Sequence, residues 1–89
     1  MKDIKQTKDI VDWIIDLGVK SFKVYETPDN SLYFKIETAN NWKINLELFY
    51  ENHNLFYSLY LKDKLIEENA GEIEYVLRRI SLKLVDFNH

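Results

Sequence analysis

The stretch SLYFKIETANNWKINLELFYENHNLFYSLYL, residues 31–61, decides the fold. Leu32, Phe34, Ile36 and Thr38 alternate with Tyr33, Lys35 and Glu37, and Trp42, Ile44, Leu46 and Leu48 alternate with Lys43, Asn45, Glu47 and Phe49. Successive side chains of a strand point to opposite faces, so a period of two marks strands with one buried face. Pairing must preserve that parity, because a one-residue slip turns every inward side chain outward. The simplest solution opposes Thr38 to Trp42 across an Ala39-Asn40-Asn41 loop, with Asn41 in the left-handed conformation that Asn tolerates. Glu37 then faces Lys43 across the strands, a favourable pair. The next segment carries Leu55, Tyr57, Leu59 and Leu61 on one parity and Phe56, Ser58 and Tyr60 on the other. A four-residue turn over Glu51-Asn52-His53-Asn54 opposes Tyr50 to Leu55, Leu46 to Leu59 and Phe49 to Phe56. That strand is apolar on both sides, which is odd for a sheet with one open face.

Before this stretch, Ser21 to Glu26 reads as a first strand with Phe22 and Val24 inward, followed by the turn signal Thr27-Pro28-Asp29-Asn30. Opposing Glu26 to Leu32 sets Tyr25 against Tyr33 but also Lys23 against Lys35, an unfavourable pair. A helix is predicted from Thr7 as N-cap to Gly18 as its terminating glycine. Ile10, Trp13, Ile14 and Leu17 follow helical spacing, and Val11 and Ile15 widen the apolar arc. Asp9, Asp12 and Asp16 form a narrow stripe on the other side, with no basic residue within it.

After Leu61 the pattern is ambiguous. Asp63 to Glu68 reads as a connector, a short helical turn or an early helix start. Asn69 and Glu72 have capping-box spacing, which places the main start of a second helix at Asn69. That helix should bury Ile73, Val76, Leu77, Ile80, Leu84 and Phe87, with Arg78, Arg79 and Lys83 towards its end. The fold class is therefore α+β, one domain over 1–89: helix, four-stranded antiparallel meander, helix, with both helices on one face.

The 46% hydrophobic and 15% aromatic content suits a folded globule. With no cysteine there is neither a disulfide framework nor a thiolate metal site. The amino terminus, with Lys2, Asp3, Lys5, Lys8 and Asp9, does not read as a secretory signal. No apolar run approaches the roughly 18 residues of a membrane span. A cytoplasmic protein without a membrane partner is expected. The net charge of −3 disfavours nonspecific nucleic-acid binding over the whole surface but leaves room for a local basic patch.

Catalytic signatures are missing from this pattern. The histidines are His53, in a turn, and His89, at the carboxyl end, and none of the four serines lies in a nucleophile elbow. Gly18 and Gly71 are too few for a phosphate cradle. Asp9, Asp12 and Asp16 lack the loop carbonyls or EF-hand spacing of an oxygen-ligand site. Neither enzyme activity nor a cofactor or metal is expected.

Two surfaces remain. One is acidic: Asp9, Asp12 and Asp16, with Glu67, Glu68, Glu72 and Glu74 near the second helix. Such a face is ordinarily just solvated, but it could also dock a basic surface of another protein. The other is the outer sheet face, where Tyr25, Tyr33, Phe49, Phe56 and Tyr60 interleave with Lys23, Lys35, Lys43 and Lys62. Aromatic residues favour strands in general, yet five on the open face exceed that expectation and imply a partner. A second copy of the chain or another protein ranks first. A single-stranded nucleic acid stacking on the rings ranks behind, because Glu37 and Glu47 share the face. The expected function is a small non-enzymatic interaction module that blocks or regulates another protein. By analogy of class alone, accessory proteins of phages and mobile elements, such as inhibitors of host nucleases, have this character. An enzyme whose site assembles across a dimer, with His53 from one chain, is the third reading.

Overall fold

A computed structural model describes residues 4–51 and 53–87, apart from the side chains of Ile4, Lys5 and Phe87. Expectations that fall on His89, Asn52 or the Phe87 side chain lie outside it. The order is α1 (Ile4–Leu17), β1 (Ser21–Thr27), β2 (Ser31–Glu37), β3 (Trp42–Phe49), β4 (Asn54–Leu61), β5 (Lys64–Glu72) and α2 (Ile73–Phe87). The strands form one antiparallel sheet in the order β1-β2-β3-β4-β5. The class is α+β as expected, but the sheet has five strands rather than four.

The alternating residues of the middle strands build the core. Leu32, Phe34 and Ile36, then Trp42, Ile44, Leu46 and Leu48, then Leu55, Tyr57 and Leu59 join Ile10 and Ile14 of α1 and Val76, Ile80 and Leu84 of α2 in one buried cluster. Both helices therefore pack on the same side of the sheet. Their mutual position is fixed by a hydrogen bond of 2.9 Å from Trp13 Nε1 to Ser81 Oγ.

The first two hairpins have the registers that parity demands. Glu26 opposes Leu32, and Lys23 opposes Lys35 despite their like charge. Ile36 opposes Ile44 and Glu37 opposes Lys43, with Asn41 left-handed at φ 71°. The third hairpin corrects the expectation by two residues: Leu48, not Tyr50, opposes Leu55, and Leu46 opposes Tyr57. His53 takes a left-handed φ of 57° and its amide donates to the Phe49 carbonyl at 3.1 Å, closing the turn one position earlier. A two-residue shift keeps parity, so no side chain changes face. Tyr50 leaves the ladder and packs against the core.

The larger correction follows β4. Residues 64–72 are a strand, not a connector with an early helix, and α2 begins at Ile73 rather than Asn69. The Asn69 side chain accepts from its neighbour Ala70 N within the strand and does not cap a helix. Two features hide this strand in the sequence. The connecting turn, Lys62-Asp63, has both residues at positive φ (52° and 67°). Two successive left-handed residues suit a tight hairpin, which ordinarily uses Asn-Gly or Asp-Gly. Here Asp63 is tied to Lys43 Nζ at 2.8 Å and the Lys62 amide to the Asn41 carbonyl at 3.1 Å. A register shift between Leu59 and Tyr60 then inserts an extra residue at Ile66, which breaks the alternation. The apolar outer side of β4 is thereby explained in part, because β4 is an interior strand.

α1 begins at Ile4 instead of Thr7, and ends as expected at Gly18 (φ 66°), whose amide donates to the Ile15 carbonyl at 3.1 Å. β1 departs in another way. Phe22 and Val24 lie on the helix-facing side, opposite Ile36 and Phe34, yet both remain exposed because no helix reaches that far across.

Ile44→Ala should lower unfolding free energy by about 2–5 kcal/mol, the range for emptying a fully buried site. Lys62→Asn should raise it by several tenths to about 1 kcal/mol, since Asn tolerates the left-handed turn better than Lys. Denaturant midpoints measure both.

Candidate functional site

The register lays out the outer face as transverse rows. Ser21, Glu37, Lys43, Tyr60 and Leu65 make the first, Lys23, Lys35, Asn45, Ser58 and Glu68 the second, and Tyr25, Tyr33, Glu47, Phe56 and Ala70 the third. The helices cover the opposite side, so this face is open. Tyr25 stays 46% and Phe56 48% exposed, while Tyr33, Phe49 and Tyr60 are half-buried among their neighbours.

The rings are organised in pairs. Tyr25 and Tyr33, directly opposed, stack with centroids 5.3 Å apart and planes at 24°. Phe49 and Phe56 are no longer directly opposed after the register shift, because Glu47 takes that place. Diagonal neighbours are still within reach of large rings, and the two meet edge to face at 5.3 Å and 72°. Such pairs are worth about 0.5–1.5 kcal/mol beyond the area they bury. Between them lies a shallow concavity of about 410 Å³ lined by Tyr33, Glu47, Phe56, Ser58 and Glu68. Ser31, fully buried, donates to Glu47 Oε2 at 2.6 Å and holds that carboxylate on the face.

The structure redistributes the acidic residues. Glu68 and Glu72 belong to the outer sheet face, at its β5 margin, and Ser58 Oγ donates to Glu68 Oε2 at 3.2 Å. Glu74 is exposed in the first turn of α2. Asp9, Asp12 and Asp16 are exposed on α1, in the helical layer across the sheet, and do not join the glutamates. Their stripe is also not free of cations, since Lys8 Nζ lies 3.1 Å from Asp12 Oδ2. The outer face consequently carries Lys23, Lys35 and Lys43 beside Glu37 and Glu47 on β1–β3, with Lys23 at the β1 margin and Glu68 and Glu72 at the β5 margin. Lys43 is engaged by Asp63 at 2.8 Å, which raises its pKa through that hydrogen bond, and Lys62 lies in the same turn.

Glu67 has a different place altogether. The extra residue in β5 turns it to the helix-covered side opposite Leu59, where its side chain is only 16% exposed. Arg79 grips it with two bonds, Nε to Oε2 at 3.1 Å and Nη2 to Oε1 at 3.0 Å. Tyr57 Oη donates to Oε2 at 2.6 Å, and Lys83 Nζ lies 3.7 Å from Oε1. The Arg79 hydrogen bonds hold the Glu67 carboxyl down at about 2, against 4.5 for an ordinary glutamate, although burial pulls the other way. Burial, and then the bond to Glu67, pushes Tyr57 up from 10.0 to about 12. This cluster ties β5 to β4 and to α2. The capping-box spacing of Asn69 and Glu72 places Glu67 near the start of the second helix; the bulge in β5 turns it to the covered side instead.

His53 is exposed in the β3–β4 turn, and its Nδ1–H donates to Gln6 Oε1 at 2.8 Å, pinning the turn to the start of α1. Among the described residues no three His, Cys, Asp or Glu side chains are placed to hold a metal ion, and no helix is long and apolar enough to cross a membrane.

The Glu67 cluster predicts two pH windows. A carboxylate with a lowered folded-state pKa stabilises above the unfolded value and loses this as pH falls through the folded one. The stability advantage of the wild type over Glu67→Gln should therefore shrink as pH drops from about 4.5 towards 2. A raised phenol pKa acts at the other end: stability should decline as pH rises from 10 towards 12, and Tyr57→Phe should flatten that decline. Urea unfolding across pH checks both.

Compared with known proteins, the chain matches no family model, no curated protein and no solved structure.

Proposed function

We propose that this chain is a small, non-enzymatic interaction module that binds another protein through its outer sheet face and so blocks or regulates it. The observation that carries the reading is the open face itself. Five aromatic side chains, four of them in two contacting pairs beside a shallow concavity, stay on the side that neither helix covers. Holding large rings in water forgoes about 25 cal/mol for every Å² left uncovered. A partner that covers them recovers this, and interface hot spots are commonly Tyr and other rigid aromatics.

Charge specifies how the partner sits. The β1–β3 side presents Lys23 and Lys35, and the β5 margin presents Glu68 and Glu72. A partner surface with an apolar centre, acidic at one rim and basic at the other, fits in one orientation, which sets specificity and association rate. The exposed Asp9 and Asp16 of α1 serve as a solvated face in this reading.

One observation favours a second reading, a single-stranded nucleic acid on the same face. Lys23 and Lys35 are directly opposed beside the stacked Tyr25 and Tyr33, an arrangement that pairs phosphate contacts with base stacking. Glu47, Glu68 and Glu72 on the face oppose it.

The two readings separate on one set of variants, Phe56→Lys and Tyr33→Lys, with folding checked by circular dichroism. Affinity capture from the native host should recover a protein with the wild type and lose at least tenfold of it, about 1.4 kcal/mol, with either variant. Unchanged capture by both variants sinks the outer-face reading. Binding of labelled single strands that weakens with salt and with Lys35→Glu would instead favour the nucleic acid.

A further inference from the structure

We propose that β1 is a self-pairing edge: two copies of the chain join β1 to β1 antiparallel, about a two-fold axis at Val24, into one ten-stranded sheet. This does not depend on the outer-face reading, because it uses a different surface.

The two edges of the sheet are built differently. β5 carries a bulge, turns the charged Glu67 inward and runs straight into α2. Bulges and inward charges are the devices that keep an edge from pairing with another chain. β1 has no bulge over its seven residues: its ladder with β2 is regular from Ser21 to Thr27, Pro28 comes only after its end, and its one charge on the helix-facing side, Glu26 opposite Leu32, sits near the end of the strand and not at its middle. A regular edge of this length offers a row of backbone donors and acceptors to another strand.

The apolar surface beside that edge is also unfinished. Phe22 and Val24 face the helical layer, opposite the fully buried Ile36 and Phe34, yet each is 40% exposed. Ile15 of α1, 63% exposed, borders the same groove as Phe22. The core thus continues past the helices to the very edge. A strand added there would cover it.

Side-chain chemistry selects a second copy and its register. A two-fold axis normal to the sheet keeps both helical layers on one side, so the uncovered strips of the two copies meet. Centred on Lys23, the pairing would set lysine against lysine. Centred on Tyr25, it would leave Ser21 and Phe22 facing the Pro28-Asp29 turn, outside the ladder. Centred on Val24, the midpoint of β1, all seven residues pair. Val24 then meets Val24, Phe22 opposes Glu26 and lies diagonal to Val24 of the other copy, and Lys23 faces the Tyr25 ring. No two like charges are opposed, which is the complementarity a self-pairing strand requires.

The chain has no cysteine, so single introduced thiols report the contact without background. Directly opposed residues of an antiparallel pair have Cα atoms about 4.5–5.5 Å apart, within the roughly 4.4–6.8 Å that a disulfide spans. Sedimentation of the wild type across a concentration series should show a monomer–dimer equilibrium. Val24→Cys should give a disulfide-linked dimer on mild oxidation. Phe22→Cys and Phe56→Cys should stay unlinked, and the double variant Phe22→Cys/Glu26→Cys should link. A wild type that remains monomeric at every concentration overturns the proposal, as does linking through Lys23→Cys or Phe56→Cys in place of Val24→Cys. Either failure leaves the outer-face reading standing, because that reading is judged on capture by the lysine variants.

Discussion

The grip of Arg79 and Tyr57 on the Glu67 carboxylate is the contact on which the rest of this architecture depends. β5 has little apolar content to recommend it as a strand: its helix-facing side offers Glu67, Asn69 and Gly71 to the core. A buried carboxylate without partners would be expelled at a cost of several kcal/mol. Here it accepts from a guanidinium held by α2 and a phenol held by β4, so one charged group ties the last strand to both of its neighbours. Because the pair is partly exposed, its merit lies more in specifying where β5 and α2 sit than in raw stability.

That placement has consequences for the open face. With β5 in the sheet, β4 becomes interior, and Phe56 and Tyr60 gain Ala70 and Leu65 as neighbours on the outer side. The rings are therefore held in a two-dimensional array instead of lining a sheet edge. The same strand brings Glu68 and Glu72 round to the outer face, which gives that face an acidic margin opposite Lys23 on β1. The concavity between Tyr33, Phe56 and Glu68 exists only because β5 is present. In the function we propose, a surface of this kind binds through shape and charge together.

At the other end of the sheet the helical layer runs out. α1 and α2 centre on the middle strands, so their packing against Phe34, Ile44, Leu46 and Leu59 is complete while Phe22, Val24 and Ile15 stay wet. Two helices on a five-stranded sheet cannot reach both margins. Since α2 is anchored to β5, the deficit falls on β1. The unfinished edge thus follows from a mismatch in width, whereas the open aromatic face follows from both helices packing on one side of the sheet.

Much of this was legible in residues alone. Period-two alternation determined β2, β3 and β4, their faces and two hairpin registers, and helical spacing determined both helices and the end of α1 at Gly18. The aromatic face followed from the same parity. Three things were not legible. The third hairpin slipped by two residues because parity cannot tell one even shift from another. Lys62-Asp63 adopts a hairpin turn without the residues that announce one, relying on Lys43 and on the Asn41 carbonyl, which come from elsewhere in the chain. Residues 64–72 form a strand because β4 needs a partner for its backbone and Arg79 a partner for its charge. Local sequence states which side of each segment is apolar; which segments meet is decided by long-range pairing, and an ion pair between residues twelve apart leaves no periodic trace.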